Sequence, residues 1–172
     1  VMLYTSIQEL GGLEALSDYG SGVQHAAYLL KTYPDSALQI GFYMVGALEG
    51  VNRGEYDENI TKLAQWIQST GRPVFLRIGY EFDFSGNQYD PVQYQEAFRR
   101  IVDRFRILKV ENAVFVWHSS IPSNSKFDLM AWYPGDEYVD WFASSFFTVN
   151  QFKPTEEFAV LARAHGKPFM IA

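Results

Sequence analysis

Glu81 stands between two aromatic residues, Tyr80 and Phe82, just past the apolar run PVFLRIG. A carboxyl flanked in this way is partly withdrawn from water, which disfavours its charged form and suits a general acid working near neutral pH. The plainer alternative is a loop carboxylate that faces solvent. Arg77 weighs against it, because a guanidinium inside FLRIG would not be left unpaired in a sheet interior. Strand alternation puts Phe75, Arg77, Gly79 and Glu81 on one face. On a regular strand, however, Arg77 and Glu81 would stand about 13 Å apart, so Arg77 needs another acidic partner.

The elements that must carry these residues are legible as apolar runs. Strands are expected at Val1 to Tyr4, Leu38 to Val45, Pro73 to Gly79, Ala113 to His118, Tyr138 to Ser144 and Pro168 to Ala172, and near-continuous apolar strands suit a parallel sheet covered on both faces. Helical spacing predicts helices over Val23 to Tyr33, Asp57 to Ser69, Val92 to Leu108 and Thr155 to His165. Asp57 and Thr155 are expected as helix caps, with Gly71 and Gly166 as stops. The result is one α/β domain with no linker or low-complexity segment. Periodicity alone leaves open whether its sheet is doubly wound or barrel-like. Neither GxGxxG nor GxxxxGK[ST] follows a strand, which disfavours a nucleotide site.

Composition narrows the partners. With 14 Lys plus Arg against 20 Asp plus Glu, a net charge of −6 and no basic run, nucleic acid is not an expected partner. No apolar run is long enough to span a bilayer, and the opening VMLYTSIQEL lacks the basic region of a signal peptide. The absence of cysteine removes disulfides and thiolate metal sites. His25 and His165 are isolated, so no metal is expected. Aromatics are 17% of residues, which fits either a Phe-rich core or a cleft that stacks rings on sugar faces. Trp66 reads as core.

RIGYEFD after one strand, VWHS at the next strand end, WYPGDEYVDW before the following one and GKPFMIA at the end together resemble glycoside hydrolase family 26, within the clan A barrels. The resemblance covers nearly the whole chain. It implies a (β/α)₈ barrel with the acid/base Glu after the fourth strand and the nucleophilic Glu after the seventh. If Glu81 follows the fourth, the chain holds strands two to seven. It would then be a single incomplete catalytic domain over residues 1–172, truncated at both ends and lacking the first and eighth strands. A complete barrel takes about 250 residues. Similar proteins run a GKPxxIA strand directly into the nucleophile, which places it just after Ala172. Within the chain, the replacements would be Asp136, Glu137 or Asp140, but PGDE reads as a turn and Asp140 lies inside its strand.

The resemblance further implies that Tyr80, Trp117 and His118 line a sugar cleft. A structural His beside a core Trp is the alternative for the latter two. Trp132 and Tyr133 suit either a stacking platform or packing of their own loop. DFSGNQYD has the wrong glycine position and lacks the terminal Glu of a calcium loop, so Asp83 and Asn87 are read as partners of sugar hydroxyls. Two positions depart from the family pattern: Tyr80 stands where His is common, and Phe146 aligns where a Tyr commonly supports the nucleophile. The expected function is a retaining endo-β-glycanase acting on a β-mannan, with mixed-linkage glucan or β-xylan as other substrates. Glu81 would be its acid/base, Arg77 would support the site, and no cofactor is needed. The alternatives are a non-catalytic carbohydrate-binding relative of the same barrel, or an unrelated barrel enzyme that uses Glu81 as a base. The expected partner is a polysaccharide or oligosaccharide, and the expected location of the full-length protein is secreted or cell-envelope. The oligomeric state is not legible in the sequence.

Overall fold

The apolar runs become strands whose faces are covered by helices packed on one side of the sheet. The computed structural model describes residues 1–19, 22–121 and 128–172. In order, the elements are β1 (Met2–Ser6), β2 (Ser17–Asp18), β3 (Val23–Gln24), α1 (Ala26–Thr32), β4 (Leu38–Tyr43), α2 (Leu48–Arg53), α3 (Asp57–Thr70), β5 (Val74–Ile78), α4 (Pro91–Ile107), β6 (Ala113–Ser119), β7 (Trp141–Ser144), α5 (Phe152–Ala164) and β8 (Phe169–Ile171). Six strands form one parallel sheet in the order β1-β4-β5-β6-β7-β8, and β2 and β3 form a separate antiparallel ribbon. Neighbours in strict chain order make the wall of a (β/α)₈ barrel, whereas a doubly wound sheet reverses its order at a switch point. The topology decides the question that periodicity left open.

The register separates the two faces. Leu3, Ile40, Leu76 and Phe115 lie side by side, all buried on the face that packs against the helices. The helices meet them with residues at helical spacing: Ile60, Leu63, Ala64 and Ile67 from α3, and Phe98, Ile101, Val102 and Phe105 from α4. On the opposite face Tyr4, Gly41, Arg77, Val116 and Trp141 form one row. Gly41 is required there by close approach. A Cβ would sit 2.4 Å from the Tyr4 ring and 3.1 Å from Arg77 Nη2.

Several expected boundaries are corrected. Val23 and Gln24 belong to the β2/β3 ribbon, and α1 starts only at Ala26, where the amides of Ala26 and Ala27 donate to the carbonyls of Gly12 and Leu13. Asp57 is inside the first turn of α3, after the cap Tyr56. Its carboxylate instead ties α3 to α4 through a two-point pair with Arg100 (3.0 and 2.7 Å). Thr155 is buried within α5, which starts earlier because Thr148 and Gln151 form a capping box on the preceding turn. Gly71 (φ +62) and Gly166 (φ +66) do lie in the left-handed region that ends a helix. The short helix α2 was not read from the sequence.

Candidate active site

The chain leaves β5 through two left-handed residues, Gly79 (φ +55) and Glu81 (φ +53). For a residue with a side chain this costs on the order of 1–3 kcal/mol, so the surroundings must enforce it. Asn87 does so by donating its amide to the carbonyls of Glu81 (2.8 Å) and Tyr80 (3.3 Å), and Phe84 N donates to Glu81 O (2.9 Å). Phe82 turns into the helix-side core, where its ring lies parallel to Trp117 at 4.7 Å. The alternation expected through Gly79 and Glu81 therefore breaks at Gly79. Glu81 owes its position to a turn, not to strand periodicity.

Arg77 is 1% exposed, but no carboxylate among the described residues pairs with it, which corrects the expected acidic partner. Its guanidinium sits over the rings of Tyr4 (5.3 Å) and Tyr80 (5.4 Å), an arrangement in which ring quadrupoles replace a counter-ion. Nη2 also reaches Met2 Sδ (3.1 Å), and Nη1 lies 3.3 Å from His118 Nδ1. On the other side of that ring, His118 Nε2 lies 3.1 Å from Ser145 Oγ, and Ser145 donates to Glu81 Oε1 at 2.5 Å. Burial, then the charge of Arg77, push the His118 pKa well below its ordinary value, so the imidazole is neutral.

At the ends of β1, β4 and β5, with Tyr80 in its wall, is a cavity of about 470 Å³ lined by Tyr4, Thr5, Ser6, Tyr19, Tyr43 and Tyr80. The Tyr80 ring packs against Tyr4 (centroids 5.2 Å) and Tyr43 (6.4 Å), and burial pushes its phenol up to about 12. The hydroxyl thus stays protonated and can both donate and accept. Such a pocket, with aromatic walls and hydroxyls, suits a neutral polyhydroxylated ligand.

Comparison with known proteins identifies the family. The profile of Glycosyl hydrolase family 26 matches residues 39–171. The chain belongs to that family. Two curated relatives, a beta-1,3-xylanase from Alcaligenes sp and the beta-1,3-xylanase TXYA from Vibrio sp, are each 34% identical over 98% of the chain. The chain spans 37% of the length of each. Among solved structures, a GH26 beta-mannanase from Bacteroides ovatus superposes with a TM-score of 0.70 at 18% identity, covering 85% of this chain and 54% of that one. GH26C from Muricauda sp. MAR_2010_75 gives 0.70 at 15% identity, with 98% and 59% covered. Family 26 structures are (β/α)₈ barrels and this chain forms part of one, as the resemblance implied.

Within the family 26 frame, the sequence-predicted residues separate into two groups. Tyr80, Glu81, Arg77 and His118 come together at the strand ends, although His118 is 1% exposed and meets Ser145 and Arg77 rather than open solvent. Asp83, Trp117, Trp132 and Tyr133 do not line the cleft. Trp117 is fully buried on the helix side among Phe82, Tyr133, Phe142 and Phe158, because its position on β6 alternates with that of His118. Trp132 and Tyr133 are buried in the same layer, Trp132 against Phe82 and Tyr94 and Tyr133 against Trp117 and Phe142. The buried Asp83 carboxylate accepts from Ser120 N (2.6 Å) and the Ser119 hydroxyl, which fastens the turn after β5 to the end of β6. Asn87 is likewise engaged by backbone.

The other carboxylates considered lie at the far end of the sheet. Asp140, which precedes β7, accepts from Phe115 N (2.8 Å), and Asp136 accepts from Tyr133 Oη (2.6 Å) and contacts His165. Sequence reasoning missed Tyr4, Tyr43 and Ser145. A Tyr or Ser near the C-terminal end of a barrel strand was the available signal. Phe146 brings no hydroxyl to the site, but Ser145 beside it does.

Proposed function

We propose that this chain is part of a retaining endo-β-glycanase in which Glu81 is the acid/base. One observation carries the reading: the Glu81 carboxyl is held at the exit of β5 by Ser145, next in the chain to Tyr80, which lines a tyrosine-rich cavity. Glu81 protonates the leaving oxygen, then takes a proton from the water that releases the product. Retention needs a second carboxylate roughly 5–5.5 Å away, and we place it in the chain that follows Ala172. In support, Ala172 N donates to Ser144 O (2.9 Å), so β8 ends beside the residue preceding Ser145. A β-1,3-xylan is the leading substrate, since the two xylanases resemble the chain over nearly its whole length. A β-mannan, first in the sequence reading, becomes the second.

The test assays the complete protein and its Glu81→Gln variant on β-1,3-xylan, β-mannan, other xylans and β-glucan. The xylan should be cleaved fastest, and the variant should lose on the order of 10² or more in rate. Equal rates for the two proteins would remove Glu81 from the mechanism.

A further inference from the structure

We propose that Ser145 and His118 are positioning residues that fix which oxygen of Glu81 carries the catalytic proton. The inference rests on Glu81 as the acid/base. Four side chains from the ends of β5, β6 and β7 stand in single file. Arg77 Nη1 is 3.3 Å from His118 Nδ1, His118 Nε2 is 3.1 Å from Ser145 Oγ, and Ser145 Oγ is 2.5 Å from Glu81 Oε1.

The polarity of this file is set from both ends. A guanidinium only donates, so His118 Nδ1 accepts and the proton of the neutral ring sits on Nε2. Nε2–H then donates to Ser145 Oγ, whose own O–H is left to point at Glu81. Every bond runs toward the carboxyl and ends on Oε1. That oxygen accepts in both protonation states, as a carboxylate oxygen or as the carbonyl oxygen of the acid. The exchangeable proton therefore belongs to Oε2.

In the first step Oε2–H passes its proton to the glycosidic oxygen. The C–O bond breaks with its electron pair on that oxygen, and a carboxylate nucleophile bonds to the anomeric carbon. In the second step water attacks that carbon and gives its proton to Oε2, and the nucleophile leaves as carboxylate. Oε1 keeps its bond to Ser145 throughout, so the side chain need not turn between steps. Arg77, which lacks a carboxylate partner among the described residues, supplies the fixed positive end.

The test compares the complete wild-type protein with its Ser145→Ala and Glu81→Ala variants. It uses two substrates, the glycan and an aryl oligosaccharide whose dinitrophenolate leaving group needs little protonation. Glu81→Ala should depress kcat/KM on the glycan far more than on the aryl substrate. Ser145→Ala should show the same selectivity in milder form, about ten- to a hundredfold on the glycan and little on the aryl substrate. Equal losses on both substrates for Ser145→Ala, with the selective loss intact for Glu81→Ala, would overturn the positioning role alone. No selectivity in Glu81→Ala would overturn the acid/base reading and this inference with it. Independently of any variant, the ¹⁵N shifts of His118 in the wild type should report the proton on Nε2; a ring protonated on Nδ1 breaks the file.

Discussion

Glu81 and Asp83, two positions apart, show how burial sorts carboxyls into different work. Glu81 sits on a strained backbone with one oxygen bonded to Ser145, whereas Asp83 is 7% exposed and spends both oxygens on Ser119 and Ser120. Burial is the largest influence on Asp83 and pushes its pKa above the ordinary 3.8, against the lowering effect of those hydrogen bonds. Folded Asp83 therefore holds its proton more tightly than the unfolded chain does, and the folded state gains on acidification through that interval. The stability of the wild type relative to Asp83→Asn should increase as pH falls through the raised folded value toward the unfolded one of about 4, then level off below it. Chemical denaturation of both proteins across that range measures it. A difference that shrinks on acidification would mean that the hydrogen bonds outweigh desolvation.

At the scale of elements, the turn after β5 depends on Phe82 as its anchor. Its ring is fully buried, parallel to Trp117 and in contact with Tyr94 and Trp132, so Phe82→Ala should cost about 3–5 kcal/mol. A denaturant midpoint with unchanged slope gives the figure, and a loss below about 1 kcal/mol would show the turn anchored elsewhere. Strand and helix positions in the sheet and in α3 and α4 were legible because burial on one face writes a period into the sequence. The turn was not, because nothing in YEFDFSGN announces that alternation fails at Gly79 and that Asn87 braces the backbone from six residues away. The same gap explains Trp117, Trp132 and Tyr133. An aromatic at a strand end reads alike whether it faces the cleft or the helices, and only the register of β6 assigns Trp117 to one side and His118 to the other. Thr155 misled because Thr before Glu imitates a cap, while the capping box lay upstream, at Thr148 and Gln151 on the turn that leads into α5.

At the scale of the molecule, the six strands are a wall with two open edges. Among the described residues β1 pairs only with β4, and β8 only with β7, so neither has a strand on its outer side, although Tyr4 N donates to Gln24 Oε1 (2.9 Å). Solvent-exposed Met2 and Ile171 lie on those strands. Exposed parallel edges of this kind recruit other chains. The site is equally divided: Glu81 is near the middle of the wall, and the other described carboxylates considered, Asp136 and Asp140, belong to the opposite end of the sheet. Double displacement with one carboxyl does not proceed. The isolated 172-residue chain is therefore expected to associate at micromolar concentration and to release no reducing ends from β-1,3-xylan or β-mannan. Light scattering and a reducing-sugar assay on the same preparation check both parts. A monomer that turns over either glycan would require a nucleophile within residues 1–172, and Glu81 would then have to pair with a carboxylate that the present packing holds elsewhere.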